Sequence, residues 1–151
     1  MAGSKKFMVE GISMAAPKKP RIVLLEDEPL LVKLFEFCIS EWFQETELLK
    51  FKNGDDAWQQ LSQTEPDLLI MDGSHPGLDG LAIMDRLTEK KAGFPVLLTS
   101  DFFEEHLGSY AERGLKTAFL PKPFGVKQFW NALNELVGPS DFPKPPDLPD
   151  A

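Results

Sequence analysis

The chain has 151 residues, 42% hydrophobic and 26% charged, which suits one soluble globular domain large enough to bury a core. Its formal net charge of −8 repels a phosphate backbone and argues against direct nucleic-acid binding. No apolar run approaches a membrane span, Glu10 and Gly11 interrupt any signal-peptide core after Lys5 and Lys6, and a lone Cys38 excludes an internal disulfide, so a cytoplasmic location is expected.

Residues 1–20 lack periodicity and end in Pro17-Lys18-Lys19-Pro20, the composition of a flexible leader. Arg21-Ile-Val-Leu-Leu25 reads as a buried strand ending on Glu26-Asp27-Glu28, and Pro29 suits the first turn of a helix carrying Leu31, Leu34, Phe35, Cys38 and Trp42 at helical spacing. Leu48 to Phe51 is a weaker strand, followed by Asn53-Gly54 and a helix with Ala57, Trp58 and Leu61. Asp67-Leu-Leu-Ile-Met71 is a second clear strand and ends on Asp72. A loop with Pro76, Gly77 and Gly80 leads to a helix with Ile83, Met84 and Leu87 inward. Pro95 to Leu98 is the next strand, ending on Thr99-Ser100, and Phe103, Leu107, Tyr110 and Ala111 mark a helix face closed by Gly114. Thr117 to Leu120 gives a last strand, then Lys122-Pro123-Phe124 and a final helix. On that helix Phe129, Leu133, Leu136 and Val137 form the inward stripe, leaving Trp130 turned toward the fourth helix or solvent, as gap cover or as a partner anchor. Residues 139–151 hold five prolines and read as an extended tail.

Five apolar strands alternating with five helices predict a single α/β domain over 21–138, a doubly wound parallel sheet covered on both faces. Such sheets bind ligands at the carboxyl ends of their strands. Glu26-Asp27, Asp72 and Thr99-Ser100 end three of those strands, and Lys122 follows the fifth closely. Each residue alone is better explained by a solvated turn or surface position. Together, at the ends of different strands, they point to phosphoryl chemistry. Clustered carboxylates repel one another and need a cation, for which Mg²⁺ suits hard oxygen ligands. A carboxylate beside such an ion can be a nucleophile toward phosphorus, and a hydroxyl and an ammonium can hold the phosphoryl oxygens.

From about Arg21 to Val137 the chain resembles the receiver domain of two-component response regulators. The resemblance rests on Glu26-Asp27, on Asp72 with Pro76 and Gly80 four and eight residues later, on Thr99-Ser100, and on Lys122-Pro123-Phe124. It implies a flavodoxin-like (βα)₅ fold and phosphorylation of Asp72 by a sensor histidine kinase or phosphotransfer protein. It further implies Mg²⁺ held by Asp27, Asp72 and the Ser74 carbonyl, with Glu26 acting through water. Thr99 and Lys122 would contact the phosphoryl group, Phe119 would be the switch aromatic, and the Lys122–Pro123 bond would be cis. His75 and Leu78 depart from the methionines usual at their positions, and Gly114 to Lys122 is one residue longer than the common spacing.

With no second globular domain after 138, the expected protein is a signalling module and not an enzyme. Its output would be a protein contact or a homodimer through the fourth helix, fifth strand and fifth helix. The alternative is a pseudo-receiver that binds partners without phosphate. A Mg²⁺-dependent phosphohydrolase should carry a second Asp where Ser74 stands, and a histidine phosphotransfer module should be all-helical.

Overall fold

In the computed structural model, which describes residues 6–9, 12–15, 19–43, 45–100 and 104–137, the elements alternate as the hydrophobic pattern requires. Two short strands, β1 (Lys6–Val9) and β2 (Ile12–Ala15), come first. Then follow β3 (Arg21–Leu25), α1 (Pro29–Trp42), β4 (Glu47–Phe51), α2 (Gly54–Gln63), β5 (Leu68–Asp72) and α3 (Gly80–Glu89). The chain continues through β6 (Val96–Ser100), α4 (Glu104–Glu112), β7 (Thr117–Pro121) and α5 (Val126–Val137).

β3 to β7 form one parallel sheet in the order β4-β3-β5-β6-β7. The order reverses between β3 and β5, because β4 pairs outward on one side and β6 and β7 extend on the other. The crevice at that reversal is where an open α/β sheet offers a site. Ile22–Leu25 and Leu68–Met71 are at most 1% exposed, which explains why their sequences run continuously apolar instead of alternating.

The helices start where the sequence supplies a partner for their free N–H groups. Asn53 accepts the Asp56 N–H at the head of α2, and Asp79 accepts the Ala82 N–H at the head of α3. α1 begins with Pro29, which has no N–H to satisfy.

Strand alternation divides the core in two. Leu24, Ile70, Leu97 and Ala118 face α1 and α5, and Val23, Met71, Leu98 and Leu69 face α2, α3 and α4. Each buried Leu or Ile contributes about 1.5–3 kcal/mol by its removal from water.

Two expectations change. The leader carries a hairpin that its sequence did not announce by alternation: β1 and β2 pair antiparallel, with Phe7 opposite Met14 and Val9 opposite Ile12. Trp130 turns neither to α4 nor to solvent. It is 6% exposed and packs edge-on against Trp42 of α1, ring centroids 5.2 Å apart. α5 is embraced by α1 and the sheet together, so it buries Phe129, Trp130, Ala132, Leu133, Leu136 and Val137, a wider stripe than one contact surface needs. On α4, Tyr110 is buried as expected, whereas Phe103 and the tail 139–151 lie outside the described residues.

Candidate functional site

The strand register sets the site. Ile70 pairs with Leu97 and Asp72 with Thr99, while Leu97 pairs with Ala118 and Thr99 with Leu120. On the other side Leu24 pairs with Ile70. Two residues beyond this apolar row, on the same face by alternation, stand Glu26, Asp72 and Thr99. They form a polar rung at the carboxyl ends of β3, β5 and β6, directly above the core layer that faces α1 and α5.

Glu26 is 1% exposed, Asp72 4% and Thr99 0%. Asp27, on the loop before α1, is exposed. Glu26, Asp27 and Asp72 each offer a carboxylate oxygen within 4.8 Å of the other two. Lys122, carried over the sheet by the loop after β7, places Nζ 3.2 Å from Glu26 Oε1 and 3.3 Å from Asp72 Oδ1. The Lys122–Pro123 peptide is cis, as the resemblance implied. Glu26 Oε2 accepts the Glu28 N–H, and Asp72 Oδ1 accepts the N–H of Ser74 at the exposed mouth of the pocket.

The electrostatics follow from burial. Removal from water pushes the Glu26 carboxyl above the usual carboxylate range; the Glu28 N–H opposes this, Asp72 adds to it, and Lys122 opposes it again. Burial works against the Lys122 ammonium, but the attraction of Glu26 and then Asp72 outweighs it and raises its pKa above that of free lysine. The cluster is therefore short of positive charge: one ammonium serves two buried carboxylates, with a third beside them.

Thr99 shows a second deficiency. Its Oγ1 is buried and has no hydrogen-bond partner among the described residues. A buried hydroxyl without a partner costs about 1–3 kcal/mol, which a hydrogen-bonding group in the pocket would relieve. An anion seated between Thr99 and Lys122 would satisfy both.

Phe119 lies apart from this rung. It pairs with Leu98 and packs, half-buried, on the α2–α4 side of the sheet, one residue before the strand position level with Thr99. The loop after Asp72 shows a contact that sequence reasoning missed. The Gly54 N–H donates to the Pro76 carbonyl at 2.8 Å, and a Cβ on Gly54 would lie 1.7 Å from the Leu78 carbonyl oxygen and 2.9 Å from His75 Cε1. Only glycine lets the head of α2 hold this loop so closely. His75 Nε2 is buried there without a partner among the described residues, and Nδ1 lies 3.2 Å from the Pro76 carbonyl.

Comparison with known proteins agrees with this architecture. Residues 22–134 match the family model of the response regulator receiver domain. The chain is 31% identical over 124 residues to the phosphate regulon transcriptional regulatory protein PhoB of Rhizobium meliloti, covering 78% of this chain and 52% of that protein. It is 23% identical over 128 residues to the alkaline phosphatase synthesis transcriptional regulatory protein PhoP of Bacillus subtilis, covering 83% and 51%. The chain thus spans about half the length of these relatives. Among solved structures it superposes on the signal receiver domain of an HD domain-containing protein from Pseudomonas fluorescens Pf-5 with a TM-score of 0.64 at 21% identity, covering 79% of this chain and 94% of that one. A DNA-binding response regulator of the LuxR family from Staphylococcus aureus gives a TM-score of 0.61 at 19% identity, covering 78% and 98%. The chain belongs to the response-regulator receiver domain family.

Proposed function

We propose that this domain is a phosphorylation switch that accepts a phosphoryl group on Asp72. The observation that carries the reading is the orphaned Thr99 hydroxyl, fully buried and paired in register with Asp72, whose carboxylate the Lys122 ammonium reaches at 3.3 Å. A phosphoryl group on Asp72 would bring oxygens to both, and charge-assisted hydrogen bonds to such oxygens are about twice as strong as neutral ones.

In this reading the donor is a phosphohistidine of a sensor histidine kinase or phosphotransfer protein. An Asp72 carboxylate oxygen attacks phosphorus, the phosphorus–nitrogen bond breaks with its electron pair leaving on the imidazole, and an acyl phosphate forms. The three carboxylates fit a hard divalent cation, since they supply oxygen ligands only and the exposed Asp27 leaves the solvent side open for water. Asp27, Asp72 and the Ser74 carbonyl would hold Mg²⁺ directly and Glu26 through water; when bound, the ion neutralises charge gathering on the phosphoryl oxygens. Glu26 keeps Lys122 beside Asp72 before transfer, and Lys122 turns to the new phosphate oxygens afterwards.

Incubation with acetyl phosphate and Mg²⁺ should add one phosphoryl group by mass, and Asp72→Asn should abolish the addition. Labelling that survives this substitution, or proceeds unchanged in chelator, would overturn the assignment and favour a pseudo-receiver.

A further inference from the structure

We infer that the state of the pocket is relayed along an aromatic column to Trp42, the last residue of α1, and to Trp130 of α5 packed against it. This inference rests on the phosphoryl-acceptor reading and extends it to a second part of the molecule. The column begins at Phe124, two residues after Lys122. Its ring lies 5.6 Å from that of Phe35 on α1 and 6.4 Å from that of Phe129 on α5. Phe35 meets Phe129 at 4.9 Å, Phe129 meets Trp42 at 5.0 Å, and Trp42 meets Trp130 at 5.2 Å.

Three features make this column responsive. First, the polar rung of Glu26, Asp72 and Thr99 belongs by alternation to the face of the sheet that the column covers, whereas Phe119 lies on the other face. Second, one carboxylate ties both ends of the column's start to the pocket: Glu26 Oε2 accepts the N–H of Glu28, the residue before α1, while Glu26 Oε1 accepts from Lys122, two residues before Phe124. When Lys122 leaves Glu26 for a phosphoryl oxygen, the Phe124 loop is released from the carboxylate that still holds the start of α1, and the two can move relative to each other. Third, Phe35 and Phe129 are fully buried, so a ring displaced at one end has no free volume to absorb the movement. The column ends on two tryptophans, and the third, Trp58, is on α2 across the sheet, against Arg86 and Lys90.

The test is the whole chain labelled with 5-fluorotryptophan and titrated with beryllium fluoride and Mg²⁺, followed by fluorine NMR. The protein-bound fluoride signal reports occupancy of the pocket in the same spectrum. At saturation the Trp42 and Trp130 resonances should shift while Trp58 stays within its linewidth. Phe35→Leu should keep the bound-fluoride signal and cut the Trp42 and Trp130 shifts at least about threefold; Phe124→Leu, at a half-buried site, makes the same cut from the other end should the first variant fold poorly. Bound fluoride with no shift at Trp42 and Trp130, or equal shifts in the variants and the parent, overturns the relay and leaves the acceptor reading standing. Absence of the bound-fluoride signal overturns both.

Discussion

Lys122 and Glu26, 96 residues apart in the chain, meet through an ammonium–carboxylate contact of 3.2 Å, and the same ammonium reaches Asp72 at 3.3 Å. Neither carboxylate has another cation within salt-bridge distance among the described residues. Lys122→Ala should therefore retain the fold but lose about 1–3 kcal/mol at neutral pH, as two buried carboxylates are left facing each other. Added Mg²⁺ should recover part of the loss by neutralising the same cluster. Thermal melts with and without the ion measure this. The variant should also fail to respond to a phosphoryl mimic, and a spectroscopic response equal to the parent's would remove Lys122 from the switch.

Asp27 is the exposed member of the carboxylate cluster, and among the described residues Lys122 bridges to Glu26 and Asp72 and not to it. Its contribution should be to the cation alone. Asp27→Ala should weaken Mg²⁺ binding about tenfold or more, equivalent to ~1.4 kcal/mol, with little change in stability in chelator. Calorimetric titration with Mg²⁺ decides it, and an unchanged affinity would exclude Asp27 as a ligand.

Cys38 gives a pH dependence of known sign. It is 1% exposed, and burial pushes its thiol from 9.0 up to about 11. The folded pKa is above the unfolded one, so the contribution is fully present below pH 9 and is lost as pH rises toward 11, because the unfolded chain releases the proton first. The stability difference between parent and Cys38→Ala should shrink by about 1 kcal/mol from pH 8 to pH 10 in urea titrations. A difference that stays constant would show that the thiol does not titrate this way. Native Cys38 should also resist alkylation at pH 8 and react once unfolded.

The parts of the fold set by strong periodicity were legible in the sequence. Ile22–Leu25, Leu68–Met71 and Val96–Leu98 read as strands buried on both faces, and their carboxyl ends carry Glu26, Asp72 and Thr99 to one rim. The resemblance added the cis bond at Pro123. What escaped was decided by neighbours distant in sequence. Trp130 looked spare beside a stripe of four apolar positions, because nothing local says that α1 brings Trp42 to its far side. The hairpin of β1 and β2 is too short for alternation to reveal, and its only signal is two apolar runs two residues apart. The closeness of Gly54 to Leu78 depends on how a loop and a helix head meet, which no spacing encodes.

Trp130 now carries a packing prediction. Its ring is buried against Trp42, so Trp130→Ala should cost about 3–5 kcal/mol in chemical denaturation, and Trp130→Phe less than about 1.5 kcal/mol. The folded fraction of the alanine variant should associate as the parent does in light scattering. A cost below about 1 kcal/mol together with weakened association would return this side chain to a surface role.

Gly54 tests whether the head of α2 positions the loop that follows Asp72. A methyl group there would fall 1.7 Å from the Leu78 carbonyl oxygen, and that atom is backbone, so it cannot turn aside as a flexible side chain would. Either α2 shifts as a whole or the loop yields, with loss of the 2.8 Å bond from the Gly54 N–H to the Pro76 carbonyl. Gly77 in the same loop also packs closely on the head of α2: its φ is +82° and a Cβ there would lie 2.8 Å from Asp55 Oδ2 and 3.1 Å from the Gly54 N. Gly54→Ala should thus destabilise the domain by about 1–3 kcal/mol although alanine is the better helix former. It should also displace Ser74, which is tied to Asp72 by its N–H, and so lower both Mg²⁺ affinity and the rate of Asp72 labelling by acetyl phosphate. Gly93 is the control: a Cβ there meets nothing within 4 Å, so Gly93→Ala should leave both measurements unchanged. If Gly54→Ala matches the parent in stability and labelling rate, the loop tolerates displacement and the α2 contact has no part in arranging the site.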